Sequence, residues 1–76
     1  MIKAYFDSPA FLQAIDQIRL DRKLSWYQVT KATGLDPNNI RRVGTREKNG
    51  FNSNAVAALV LWSGLDPREY MKWKNS

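Results

Sequence analysis

Residues 25–43 read SWYQVTKATGLDPNNIRRV, two short helical patterns joined through a glycine. Ser25 and Gln28 have the Ser-x-x-Gln spacing of a capping box, in which each side chain satisfies a backbone N–H that the first helical turn leaves unpaired. Val29 and Ala32 follow at helical spacing. Gly34 stands where a left-handed residue closes a helix. Asp36-Pro37 then opens the next helix: Asp accepts an orphan amide hydrogen bond, and Pro loses nothing at the first helical position. Ile40 and Val43 supply that helix's apolar stripe. Two short helices joined by three residues with a glycine form a helix-turn-helix arrangement. Counted from Trp26, the apolar clamp falls at the fourth (Val29), tenth (Leu35), fifteenth (Ile40) and eighteenth (Val43) positions, with glycine at the ninth. A plain antiparallel helix pair satisfies part of the same spacing.

Outward from this stretch the same punctuation recurs. Gly-Leu-Asp-Pro appears again at 64–67, and Ser8-Pro9 is a third cap-proline pair. Glu69 extends Asp66-Pro67 into an acidic capping box. Asn52 or Ser53 precedes the apolar run AVAALVLW. Phe11, Ile15 and Ile18 lie at i, i+4, i+7. These signals predict five helices, at about 8–22, 25–33, 37–47, 53–63 and 67–74. The fourth is apolar nearly all round, as expected of a central, mostly buried helix. The fifth carries Tyr70, Met71 and Trp73. Residues 1–7 fit an N-terminal arm, a short strand or an extension of the first helix. The expected architecture is an all-α five-helix bundle, one domain over residues 1–76.

Composition narrows the function. The 76 residues contain no Cys and no His, which removes disulfides, thiolate metal sites, the commonest general base and the usual zinc ligand. Asp16 and Asp21 are five apart and do not share a helix face. Asp66 and Glu69 are accounted for by capping, and no glycine-rich phosphate loop is present. An enzyme is not expected, nor is a cofactor or metal. No stretch approaches the roughly 18 apolar residues that span a membrane, and MIKAYFDS does not read as a signal peptide. A cytoplasmic location is the expectation.

The net charge is +5. Residues 23–50 contain six basic residues (Lys23, Lys31, Arg41, Arg42, Arg46, Lys48) and two acidic ones (Asp36, Glu47), a net of +4. That segment is either a solvated basic face or a polyanion site. The third helix favours the second. With about 100° per residue and Ile40 and Val43 inward, Asn38, Arg42 and Thr45 point outward. Arg41 and Arg46 flank them, and Asn39 lies on the other shoulder. Amides and guanidiniums are the groups that read base edges, and a helix-turn-helix inserts its second helix in the major groove by its N-terminal residues. Ser25, Tyr27 and Gln28, at the start of the second helix, are candidates for the DNA backbone. Arg46, Lys48 and Asn49, in the stretch TREKNGFN, are others. Trp26 reads better as core, and Trp62 and Trp73 as core or interface.

FLQAIDQIRLDRKLSWYQVTKATGLDPNNIRRV, followed by AVAALVLWSGLDPREY, resembles the bacterial and phage repressor/Cro-type (xenobiotic-response-element type) helix-turn-helix family, in its small single-domain branch. The strongest parts are Leu24-Ser25-Trp26 with Val29, Gly34-Leu35, Ile40, and Leu59…Trp62…Gly64-Leu65-Asp66. The resemblance implies a lambda-repressor-like five-helix bundle that binds operator-like double-stranded DNA. It also implies a transcriptional regulator of the repressor kind, commonly a two-fold dimer; with the C-terminal aromatics this makes a homodimer through the C-terminal helices an expectation. By position it places Asn38, Arg41, Arg42 and Thr45 on the base-reading face, and Gln28 and Asn39 at backbone contacts. Four departures stand out: Thr30 where Ala is usual, Lys23 where Gly is usual, Gly44 within the third helix, and a loop over residues 45–53 that is longer than usual. The rival readings are a protein-interaction module with the same fold, such as an anti-regulator or complex subunit, and an RNA-binding domain. Exposure of Tyr70, Met71 or Trp73 would favour the interaction module.

Overall fold

The computed structural model describes residues 2–43 and 53–75. Among these the element order is β1 (Ile2–Phe6), α1 (Ser8–Asp21), α2 (Trp26–Thr33), α3 (Pro37–Val43), α4 (Ser53–Ser63), a 3₁₀ turn (Pro67–Tyr70) and β2 (Met71–Asn75). The expected all-α, lambda-repressor-like five-helix bundle is therefore corrected to a small mixed α/β domain, four helices with a two-stranded antiparallel sheet.

The correction lies in the predicted fifth helix and residues 1–7. Asp66-Pro67 does start a helical turn, with Asp66 Oδ1 accepting from the Arg68 N–H at 2.9 Å, but it ends after four residues. Met71, Trp73 and Tyr70 fit a helical stripe in isolation. Yet MKWKN also alternates apolar with lysine, and so does the start of IKAYF, the period of a strand. Each finds its partner in the other: Phe6 lies opposite Met71, Ala4 opposite Trp73 and Ile2 opposite Asn75. Of the three readings of residues 1–7, the strand holds for Ile2–Phe6. The sheet is tied to the helices where α1 begins. The Asp7 N–H donates to the Tyr70 carbonyl at 2.7 Å. The rings of Phe6, Phe11 and Tyr70 meet edge-to-face or tilted, with centroids 5.3 to 6.4 Å apart.

All four helices supply the core: Phe11 and Ile15 from α1, Val29 from α2, Ile40 and Val43 from α3, and Ala55, Val56 and Leu59 from α4. Burying such side chains stabilises by about 1.5–3 kcal/mol each relative to exposure. α4 is not buried all round, because Leu61 is 85% exposed. Ala32, expected inward on α2, is also exposed. The cap of α1 is Asp7, one residue before the expected Ser8; its carboxylate accepts from the Ala10 N–H at 3.3 Å, and Ser8 is buried instead. α1 ends in a Schellman arrangement, the Leu24 N–H reaching the Arg19 carbonyl and the Lys23 N–H that of Leu20, both at 3.0 Å. Lys23 holds the left-handed position at φ +58, where glycine is the usual occupant. Asn52 and residues 44–47 of the predicted third helix lie outside the described residues. No helix of the described residues is long and apolar enough to cross a membrane.

Candidate nucleic-acid interface

α2 and α3 are joined by residues 34–36, with Gly34 left-handed at φ +75 and its N–H donating to the Thr30 carbonyl at 2.9 Å. The entry to α2 is the predicted box: the Ser25 N–H donates to Gln28 Oε1 at 2.8 Å, and the Gln28 N–H to Ser25 Oγ at 3.2 Å. The Gln28 side-chain carbonyl is thus engaged, which leaves its amide nitrogen as the outward donor. Thr30, the β-branched departure, donates its hydroxyl to the Tyr27 carbonyl at 2.6 Å. The local bond satisfies the hydroxyl within its own helix. Tyr27 is 67% exposed, with Lys31 Nζ 5.4 Å from its ring centroid.

α3 opens on Asp36, whose carboxylate accepts from the Asn39 N–H at 2.8 Å. Ile40 and Val43 are buried, while Asn38, Arg41 and Arg42 are exposed and Asn39 is half-buried. Asn38 is i−4 to Arg42 and i−3 to Arg41, so the three form one patch on the helix surface. α3 itself contains no acidic residue. Arg41 also borders an open hollow of about 340 Å³ between α1, α2 and α3, with Leu12, Trp26, Thr30, Pro37 and Ile40 as its other walls.

Arg19 and Arg22 each pack on a tryptophan. Arg19 stacks 4.9 Å from the Trp26 ring centroid, pairs with Asp16 at 2.8 Å and donates to the Leu24 carbonyl at 2.8 Å. Arg22 sits 4.8 Å from the Trp62 ring centroid and donates to the carbonyls of Trp62 and Ser63, the last residues of α4. Trp26 and Trp62 are accordingly half-buried packing residues, whereas Trp73 is 75% exposed. At the second Gly-Leu-Asp-Pro junction, the exposed Asp66 carboxylate is held below the usual carboxylate range by the Arg68 side chain.

The structure brings Asn38, Asn39, Arg41 and Arg42 together on α3, and Ser25, Tyr27 and Gln28 at the entry and first turn of α2. Thr45, Arg46, Lys48 and Asn49 lie outside the described residues. Sequence reasoning did not single out Lys3, Lys72 and Lys74, which β-pairing gathers on one ribbon. The period-two pattern was the available signal. No protein-family model, curated protein or solved structure matches this chain.

Proposed function

We propose that this chain binds double-stranded DNA sequence-specifically and regulates transcription as a bacterial or phage type of repressor, with α3 in the major groove. It is a binding protein rather than an enzyme, working in the cytoplasm. One observation carries the reading: α3 buries Ile40 and Val43 and turns Asn38, Arg41 and Arg42 outward from a three-residue turn. Asn can pair bidentately with adenine and Arg with guanine. The resemblance of residues 11–70 to the repressor/Cro-type family supports it. Arg42→Ala is expected to weaken binding to a selected site by about 1–3 kcal/mol and to relax preference at one base pair. Selection from random duplexes with no salt-sensitive binder would refute the reading. A homodimer is part of the proposal, with Met71 and Trp73 contributing from a strand rather than a helix; sedimentation showing monomer both free and on DNA removes it.

A second reading draws on a specific observation. Ile2, Met71 and Trp73 are 62%, 57% and 75% exposed, and pairing puts them on one face of the ribbon. Exposed apolar patches mark contact surfaces, so a protein-interaction module acting through this face is the competing function. Tyr70, by contrast, is tucked against Phe6 and Phe11. A partner captured without regard to salt or to Arg41 and Arg42 substitution would favour this reading.

A further inference from the structure

The excess positive charge is divided between two places. Residues 23–50 hold a net +4, the ten residues of β1 and β2 hold three lysines and no acid, and the remainder of the chain is net −2. A count along the sequence does not show the second place, because Lys3 lies far from Lys72 and Lys74. Pairing unites them. Directly opposite residues share a face, and alternation puts Lys3 and Tyr5 with Lys74 and Lys72 on one side, Ile2, Ala4 and Phe6 with Asn75, Trp73 and Met71 on the other. Phe6 packs onto the core, so the ribbon is anchored at that end. Its far half, with Lys3 and Lys74, extends into solvent.

Lys3 and Lys74 stand directly opposite each other. Like charges in that position destabilise a strand pair. Among the described residues neither has an acidic partner, whereas Lys72, beside them, is bridged to Asp7 at 2.9 Å. The arrangement makes electrostatic sense when an external polyanion neutralises the pair. Duplex DNA, the polyanion proposed for α3, carries the phosphate charge that complements this pair.

We propose that the Lys3/Tyr5/Lys72/Lys74 face of the ribbon is a second DNA contact, binding the phosphate backbone of the duplex that α3 reads. This rests on the DNA-binding reading of α3 and adds a sequence-independent contact to it. Backbone contacts set position and salt dependence and carry no base preference. The two surfaces therefore predict different signatures in one experiment.

The full chain is titrated into a selected-site duplex and into a random-sequence duplex of equal length, over a series of salt concentrations. Wild type is compared with K3Q/K74Q and R42A. Each phosphate contact contributes about 0.9 to the slope of log K against log salt. K3Q/K74Q is expected to flatten that slope by roughly 1–2 and to weaken both duplexes equally, roughly tenfold or more at low salt. R42A is expected to reduce the ratio between the duplexes. A thermal melt guards against unfolding, because removing a like-charged pair is expected to leave the Tm unchanged or raised. An unchanged slope in K3Q/K74Q, with wild type still selective, overturns the ribbon contact and leaves the α3 reading intact. No duplex binding by wild type overturns both. Binding of wild type to anionic phospholipid vesicles that K3Q/K74Q abolishes, with an unchanged DNA slope, assigns the face to a membrane surface and also overturns the proposal.

Discussion

The two Gly-Leu-Asp-Pro junctions, at 34–37 and 64–67, are built alike and lead to different structures. In each, a hydroxyl just before the glycine donates back to the helix and accepts from the leucine N–H. Thr33 Oγ1 reaches the Val29 carbonyl at 2.8 Å and takes the Leu35 N–H at 3.3 Å; Ser63 Oγ reaches the Val60 carbonyl at 3.4 Å and takes the Leu65 N–H at 3.2 Å. Both glycines are left-handed, and both leucines are half-buried. Each aspartate caps the next helical turn. Beyond the proline the paths part. PNNIRRV has Ile40 and Val43 three apart to bury on the shared core, and it forms α3. PREYMKWKN offers Tyr70 to the core and then alternates, and β1 lies beside it. A capping device sets where an element begins; burial and available partners set which element it becomes.

Removing the residue that ties each junction to the core tests this most strongly. Ile40→Ala is expected to cost about 2–4 kcal/mol in denaturant unfolding, because Ile40 is only 4% exposed and its loss leaves a cavity in the core all four helices share. Tyr70→Ala is expected to cost less, about 1–3 kcal/mol, since Tyr70 is half-buried. Its effect should also be local. Amide exchange should accelerate in Ile2–Phe6 and Met71–Asn75 more than in α1 to α4, because the Asp7–Tyr70 hydrogen bond and three aromatic rings hold the ribbon to the core. Uniform acceleration would show that the second junction is not a separate unit.

The same contrast explains what the sequence makes legible. The Ser25/Gln28 box, the Asp36 and Asp66 caps and the left-handed Gly34 and Gly64 all depend on neighbours within four residues, and each stands where local chemistry puts it. So do the outward Asn38, Arg41 and Arg42, which follow from inward Ile40 and Val43. The sheet is different. Tyr70, Met71 and Trp73 fit a helix as well as a strand, and the tie is broken by a partner near the other end of the numbering, which no local window contains. For the same reason the basic ribbon face escapes a charge count along the chain. Leu61 shows a further gap: an apolar run does not reveal which side lacks a neighbour.

The glycines give a smaller effect, and here the two junctions should agree. Space for a Cβ is open at both positions, with nothing within 4 Å, so the cost of Gly34→Ala and Gly64→Ala is purely conformational at φ +75 and +79. Each is expected to lose about 1 kcal/mol. Lys23, at φ +58, is the natural counterpart, a side chain already in that region. Lys23→Gly should act with the opposite sign, gaining about 0.5–1 kcal/mol after the added freedom of the unfolded chain is offset. Unequal losses at Gly34 and Gly64 would mean that the junctions differ before the proline, not after it.

The smallest effect distinguishes the junctions by pH. The Arg68 side chain, then its backbone N–H, hold the Asp66 carboxyl below its ordinary range. A carboxyl with a depressed folded value binds fewer protons when folded than when unfolded in the intervening pH window. Its contribution is fully present above the unfolded value and is lost as pH falls through the folded one. Arg68→Ala should therefore shift the Asp66 titration, followed by carboxyl chemical shift, upward toward the ordinary range while keeping the backbone part of the depression. Stability at neutral pH should barely change, because both side chains are solvent-exposed and such pairs contribute little. An Asp66 titration unmoved by Arg68→Ala would assign the whole depression to the cap itself, and the second junction would then owe nothing to the arginine after its proline.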